Sequence, residues 1–165
     1  VCLVAMTSTT PIHVAARDGD FVTVTFLVQG GEDVNALDEK TWTPLMIAAA
    51  NGHTLTVKAL LKAGAALDMK NKNGSTALMN AAQYGHCDSI RELLEAGASV
   101  DLQNSKGASA LMTAAANSQA DAVKILLEAG ASPKLKNQVG KCAKDVGKTP
   151  EVKKLLGVSS ICVVS

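Results

Sequence analysis

Aromatic side chains are scarce in this chain of 165 residues, which contains only Phe21, Phe26, Trp42 and Tyr84. Arginine is rarer still, and 16 basic against 15 acidic residues leave a net charge of +1. Proteins that bind single-stranded nucleic acid combine aromatic platforms with a strongly basic surface. The composition therefore argues against a nucleic-acid partner, and the near-neutral charge gives no bulk attraction to a membrane.

Long apolar runs and paired cysteines are also missing. No run is long enough to span a membrane, and Val1–Met6 lacks the basic lead of a secretory signal. The four cysteines, Cys2, Cys87, Cys142 and Cys162, form no C-x-x-C pair and have no histidine at zinc-ligand spacing. We therefore expect free thiols, no metal, no cofactor and a cytoplasmic or nuclear location.

What the chain does contain is a period of 33 residues, and it has no insertions. Such a period is typical of stacked repeat proteins, which present an extended surface and lack an enclosed pocket. The opening segment of each repeat is Thr10-Pro11-Ile12-His13, Thr43-Pro44-Leu45-Met46, Thr76-Ala77-Leu78-Met79 and Ser109-Ala110-Leu111-Met112.

Each recurring position has a physical role. Thr or Ser before Pro or Ala predicts a helix N-cap, and the glycine two turns later predicts a left-handed helix end. Apolar residues at i, i+3 and i+4 then predict a second helix in each repeat. The repeated elements are Gly19, Gly52 and Gly85, with Ser118 as the exception, and the stripes Val57-Leu60-Leu61, Ile90-Leu93-Leu94 and Val123-Leu126-Leu127.

These residues resemble the ankyrin-repeat family, whose signature of Asn or Asp, Gly and then Thr-Pro-Leu-His is closely matched. Asn71–Leu78 and Asn104–Leu111 carry it, and only His13 keeps the family histidine. The resemblance implies an all-α solenoid of helix–turn–helix units with short β-hairpin loops. We expect an N-terminal tail at 1–7, four full repeats at 8–137, a shortened capping repeat at 138–158 and a C-terminal tail at 159–165. Because the chain does not open with Met, one interpretation is that Met6 is its natural start.

The resemblance also implies a partner-binding surface on the concave face, made by the loop tips and the exposed ends of the first helices. It implies an adaptor or scaffold for protein–protein interaction, monomeric and without enzymatic activity. The positions that match this face are Arg17, Leu37, Glu39, Lys40, Trp42, Asn51, Lys70, Lys72, Asn73, Gln83, Tyr84, Gln103, Ser105, Lys106, Asn117 and Lys136.

Two features of this face indicate its partner. Trp42 and Tyr84 both fall on it, and exposed Trp and Tyr are favoured binding anchors, whereas we expect Phe21 and Phe26 on the apolar side of a second helix. The alternative for Trp42 is packing over the neighbouring loop. The face and its flanks also carry a charge of +5, which predicts an acidic partner, although loop lysines also serve solubility. The charged residues counted are Arg17, Lys40, Lys70, Lys72, Lys106, Lys136 and Lys141 against Asp18 and Glu39.

Two other function classes remain open at this stage. Cys162-Val163-Val164-Ser165 matches the prenylation pattern, so a membrane-tethered adaptor lipidated at Cys162 is the alternative to a purely soluble one. A targeting subunit of an enzyme is the third class. Intrinsic catalysis is not expected, because His53 and His86 fall at helix turns with no nucleophile or base beside them.

Overall fold

The computed structural model describes residues 10–158, and within them the chain forms ten helices in five pairs. Each pair has a first helix followed by a second one. The first helices are α1 (Pro11–Asp18), α3 (Pro44–Ala50), α5 (Ala77–Tyr84), α7 (Ala110–Ala116) and α9 (Ala143–Val146). The second helices are α2 (Phe21–Gln29), α4 (Thr54–Lys62), α6 (Cys87–Glu95), α8 (Ala120–Glu128) and α10 (Pro150–Val158).

The pairs stack in chain order and form two helical layers. Each first helix packs on the first helix of the next pair, and the second helices stack in the same way from α2 to α10. Within a pair the two helices pack on each other. Contacts therefore run between neighbouring pairs, which is the solenoid that the 33-residue period predicts.

The helices begin as the sequence predicts. The hydroxyl oxygens of Thr43, Thr76 and Ser109 accept hydrogen bonds from the backbone N–H groups three residues later, at 3.2, 3.4 and 3.4 Å. These bonds satisfy N–H groups that the first helical turn leaves without a partner. Thr10 differs, because its hydroxyl lies 2.9 Å from Nδ1 of His13 instead of capping α1.

The first helices also end at the predicted positions. Gly19, Gly52 and Gly85 have φ angles of +78°, +72° and +72°. Ser118 occupies the same position with a φ of +62°, so the left-handed turn persists without glycine. The glycine positions are also crowded: a Cβ built on Gly52 would lie 2.5 Å from Nδ1 of His86, in the next helix pair.

The core is a narrow stripe of aliphatic side chains between the two layers. The alanine pairs Ala48-Ala49, Ala81-Ala82 and Ala114-Ala115 are fully buried, which lets neighbouring first helices approach closely. Leu60, Leu93 and Leu126 on the second helices are also fully buried. This confirms the predicted apolar stripe on the second helices, whose burial favours folding.

The loops between the helix pairs are tight turns, and residues 10–158 contain no β-strand. In one of these turns Oδ1 of Asn71 accepts hydrogen bonds from the N–H groups of Asn73 and Ser75, at 2.9 and 3.0 Å. The backbone N–H of Asn71 donates to the carbonyl of Ser75 at 3.1 Å. The short hairpin loops of the expected fold are therefore turns that close with a single rung, and residues 10–158 have no ladder beyond it.

The first repeat departs from prediction on its second helix. Phe21 and Phe26 were expected on the apolar side of that helix, yet their side chains are 42% and 72% exposed. Only Val24 of α2 is fully buried. Phe26 is exposed because α2 is the first of the second helices among the described residues, so it has a stacked neighbour in that layer only on the side of α4.

The last helix pair is short and polar. Its first helix, α9, has four residues, whereas α1, α3, α5 and α7 have seven or eight. Val152 and Leu156 of α10 are buried, while Lys144, Lys153 and Lys154 are exposed. The division into four full repeats and a shortened cap stays a prediction, and the two predicted tails lie outside the described residues.

Candidate partner-binding face

The positions predicted from the sequence form two rows on the side of the first helices. The turn row consists of the tight turns that follow each second helix, around residues 37–42, 70–75, 103–108 and 136–141. The helix-end row consists of the last residues of the first helices and the residues just after them. We call the two rows together the candidate face.

The turn row is held together by side chains that bond to the backbone of a neighbouring turn. Nζ of Lys72 donates to the carbonyl of Glu39 at 2.6 Å, and Nζ of Lys70 donates to the carbonyl of Gln103 at 2.9 Å. Nε2 of Gln103 in turn donates to the carbonyl of Lys136 at 2.9 Å. Each of these bonds joins residues 33 positions apart, one repeat period.

Backbone bonds and one further side chain continue this row. The N–H of Ser105 donates to the carbonyl of Asn73 at 3.0 Å, and the N–H of Gln138 donates to that of Lys106 at 3.1 Å. Nε2 of Gln138 donates to the carbonyl of Ser105 at 2.7 Å. The structure thus brings eight predicted site residues into one connected row, and Gln138 belongs to the same row. The eight are Glu39, Lys70, Lys72, Asn73, Gln103, Ser105, Lys106 and Lys136.

The helix-end row is held by residues at the start of the second helices. Nε2 of His53 lies 2.9 Å from the carbonyl oxygen of Arg17, and Nε2 of His86 lies 3.0 Å from that of Ala50. Gln119 fills the same role one repeat later, donating to the carbonyl of Gln83 at 3.4 Å. His53 and His86 therefore link neighbouring helix pairs from the turns at which the sequence places them.

The remaining members of the helix-end row interact mainly with their own helix. The amides of Asn51 and Asn117 donate to the carbonyls of Ile47 and Thr113, each four residues earlier and at 2.8 Å. Asn51 and Asn117 are exposed, whereas Gln83 is half-buried. Arg17 is exposed and pairs with Asp18 at 3.3 Å, a contact that adds little stability at the surface.

The two aromatic residues of the candidate face differ in exposure. Tyr84 is 54% exposed, and its ring centroid lies 6.1 Å from that of His86, so His86 supports one side of the ring. Trp42 is half-buried and packs against the core. Its backbone carbonyl lies 3.0 Å from Nε2 of the buried His13. Trp42 is therefore mainly a packing residue, and the expectation of a freely exposed anchor is wrong at this position.

The exposed lysines of the turn row have no carboxylate partner within residues 10–158. Lys40, Lys106 and Lys136 are exposed and belong to no ion pair there. Lys70 and Lys72 donate to neutral backbone carbonyls, not to carboxylates. Leu37 is 45% exposed beside the first turn. The candidate face therefore presents basic side chains together with a small number of apolar ones.

No group of side chains in the described part of the chain has the arrangement of a metal site. Cys87 and Cys142 are free thiols, and burial raises the pKa of Cys87, with the nearby Asp121 carboxylate adding to the shift. A thiol with a raised pKa is a poor nucleophile at neutral pH. Cys2 and the proposed lipidation site Cys162 lie outside the described residues. None of the helices in residues 10–158 is long and apolar enough to cross a bilayer.

A second exposed group, which was not predicted from the sequence, lies on the second helices. Leu55 is 61% exposed, and it lies close to Phe21 on the outer side of α2 and α4. A signal was present, because the residues one and two periods after Leu55 are Asp88 and Asp121. Carboxylates at those positions indicate that this position of the second helix faces solvent. Leu55 occupies the same position and is therefore expected to be exposed as well.

A family model described as ankyrin repeats (three copies) matches residues 3–71 and 50–137, which together make up most of the chain. Both matches fall on the region in which the period of 33 residues was recognised. Among curated proteins, none matches this chain. The comparisons therefore establish the kind of repeat and do not indicate a partner.

Proposed function

Because this chain belongs to the ankyrin-repeat family, whose repeats are protein–protein interaction modules, we propose that it is a non-enzymatic adaptor for an acidic partner. The partner is a protein or peptide that docks on the candidate face, with the adaptor acting as a monomer. We place this adaptor in the cytoplasm or nucleus, on the basis of Cys87 and Cys142, which are free thiols.

The observation that carries this proposal is that Tyr84 and lysines outside any ion pair within residues 10–158 share the candidate face. Tyr84 offers a rigid amphipathic ring, and the exposed Lys106 and Lys136 stand in the turn row. A positive surface raises the association rate of an acidic partner, and an aromatic side chain on the same face supplies contact area.

The hydrogen bonds between turns favour binding for a separate reason. Lys72, Gln103 and Gln138 each tie one turn to a neighbouring turn, so the turns are held before a partner arrives. A surface ordered in advance loses less conformational entropy on binding. The adaptor therefore binds as a nearly rigid body, and specificity lies in the exposed side chains of each turn.

The test is quantitative affinity purification from cell lysate, followed by direct binding measurements on the partner recovered. The face variant is Lys106→Glu with Lys136→Glu, combined with Tyr84→Ala. The matched control is Lys124→Glu with Lys154→Glu, which changes the net charge equally at exposed residues of the second helices. Lys72 is left intact because its ammonium group binds a carbonyl of the neighbouring turn.

We expect an acidic partner that is retained by the control and lost by the face variant. Its dissociation constant should rise with salt concentration, because exposed charges are screened. A partner retained equally by both variants would place the binding site elsewhere, and a partner with a basic surface would contradict the charge argument.

A further inference from the structure

A groove runs between α2 and α4 on the side of the molecule opposite the first helices. Its volume is about 440 Å³, and its apolar lining consists of Phe21, Val28, Leu55, Ala59 and Ala63. The groove is separate from the candidate face, because its lining residues belong to the second helices or directly follow them.

The repeats provide an internal comparison for this groove. The corresponding groove between α6 and α8 is lined by Arg91, Asp121, Lys124 and Glu128, together with Cys87 and Ile125. Between α4 and α6, the corresponding position is crossed by an ion pair between Lys58 and Glu92 at 2.9 Å. The solenoid therefore folds with charged residues at these positions, and the apolar lining between α2 and α4 is not a requirement of the fold.

The apolar lining of the groove is open to solvent. Leu55 is 61% exposed and Phe21 is 42% exposed within it. Exposed apolar side chains grouped in one groove mark a site of interaction, because leaving them in water is unfavourable.

The charge around the groove is of one sign. Lys58 and Lys62 line it, and the groove has no carboxylate among its lining residues. Lys58 is engaged by Glu92, which raises the pKa of its ammonium group, whereas Lys62 belongs to no ion pair within residues 10–158. The repeat position of Lys62 is held by Glu95 and Glu128 in the next two repeats, so the positive charge is particular to this groove.

We propose that the groove between α2 and α4 binds an amphipathic helix of a partner protein whose apolar stripe is flanked by Asp or Glu. The apolar stripe covers Phe21, Leu55 and Ala59, and a flanking carboxylate pairs with Lys62. Two parallel ridges with an apolar floor are the arrangement that receives a helix in groove recognition. This surface is independent of the candidate face, so one adaptor joins two partners.

The probe is a stapled helical peptide of about 14 residues, which is long enough to cover two helices of nine residues each. It carries Leu on one face and Glu along both flanks, and a matched peptide has Lys in place of Glu. Binding to the full chain is measured by fluorescence anisotropy. The variants are Leu55→Asp and Lys62→Glu, which copy the residues that later repeats use at these positions, and Tyr84→Ala is the control.

We expect the Glu peptide to bind the full chain and the Tyr84→Ala variant equally. Leu55→Asp and Lys62→Glu should each weaken binding about tenfold or more, and the Lys peptide should prefer Lys62→Glu. Circular dichroism checks that both variants keep their helices. Absence of binding by the Glu peptide, or groove variants that bind it as tightly as the unmodified chain does, would overturn the proposal.

Two further measurements on the same proteins distinguish two other occupants of the groove. A dimer in analytical ultracentrifugation that Leu55→Asp dissociates would assign the groove to a second copy of the chain and overturn the proposal. A peptide of residues 1–9 that displaces the Glu probe would assign the groove to the chain itself, with the same result. A monomer that does not bind that peptide supports a partner helix.

Discussion

Nε2 of His86 lies 3.0 Å from the carbonyl oxygen of Ala50, across the boundary between two helix pairs. This carbonyl belongs to the last turn of α3, where the helix itself supplies no partner. The same ring lies against Gly52, whose missing side chain leaves room for it. One histidine therefore links the end of one helix to the start of another and supports Tyr84 on the candidate face.

Removing this bond should destabilise the stack. We expect His86→Ala to lower the free energy of unfolding by about 1 kcal/mol or more, because a helix-end carbonyl loses its partner. His86→Gln should retain most of the stability, since Gln119 makes the equivalent bond to Gln83 one repeat later. Urea denaturation followed by circular dichroism measures both, and equal loss in the two variants would contradict the role of the hydrogen bond.

Gly52→Ala should be more damaging than Gly64→Ala. Both glycines have positive φ angles, +72° and +86°, so each variant carries a backbone cost of about 1–2 kcal/mol. At Gly52 the new Cβ also meets His86 at 2.5 Å, whereas at Gly64 it meets nothing within 4 Å. Adding His86→Ala to Gly52→Ala should recover part of the loss, which double-mutant denaturation detects as a coupling energy. Equal losses for the two single variants would argue against the close approach.

Asn80→Thr should stabilise the protein. Asn80 is 4% exposed, and its Nδ2 has no hydrogen-bond partner among the described residues. Thr113, at the same repeat position, donates from Oγ1 to the carbonyl of Ser109 at 2.9 Å, so threonine is satisfied in this setting. Relief of a buried unpaired donor should raise the free energy of unfolding by about 1 kcal/mol, less the packing lost with the smaller side chain. Thermal denaturation should show a higher Tm, and an unchanged or lower value would contradict the prediction.

The N-cap at Asp20 should make part of the stability depend on pH. A side-chain hydrogen bond from Thr23, with a second bond from its backbone N–H at 2.9 Å, holds the pKa of Asp20 below its ordinary value of 3.8. Since the folded pKa is the lower one, the stabilisation is present above pH 3.8 and is lost as the pH falls through the folded pKa. The stability difference between the natural protein and Asp20→Ala should therefore be constant near neutral pH and shrink in acid. Urea titrations across this range measure it, and a difference that grows in acid would contradict it.

Much of the fold followed from local chemistry. Thr43 and Ser109 cap their helices, and Gly19 and Gly85 end theirs, because each role depends on a few neighbouring atoms. Phe26 was placed wrongly because its burial depends on a neighbouring helix. Ile125 occupies the same repeat position and is buried, with α6 stacked beside α8.

The candidate site was predictable in position but less so in detail. Repeat spacing located the turns and helix ends, since these positions are set by the register. It did not predict that Lys72 and Gln103 bond to carbonyls of neighbouring turns. Long side chains have many rotamers, and the acceptors within their reach are set only by the stacking of the turns. Trp42 was ambiguous for the same reason, and contact with the core decides its burial.

The bonds along the turn row also restrict how an extended peptide can be recognised. A peptide that joins a protein as an added strand needs free backbone carbonyls and N–H groups along an edge. Here the carbonyls of Glu39, Ser105 and Lys136 already accept bonds from side chains of adjacent turns. The protein must therefore recognise a partner on this face through its own side chains. Exchanging single surface residues can then change which partner binds without altering the backbone.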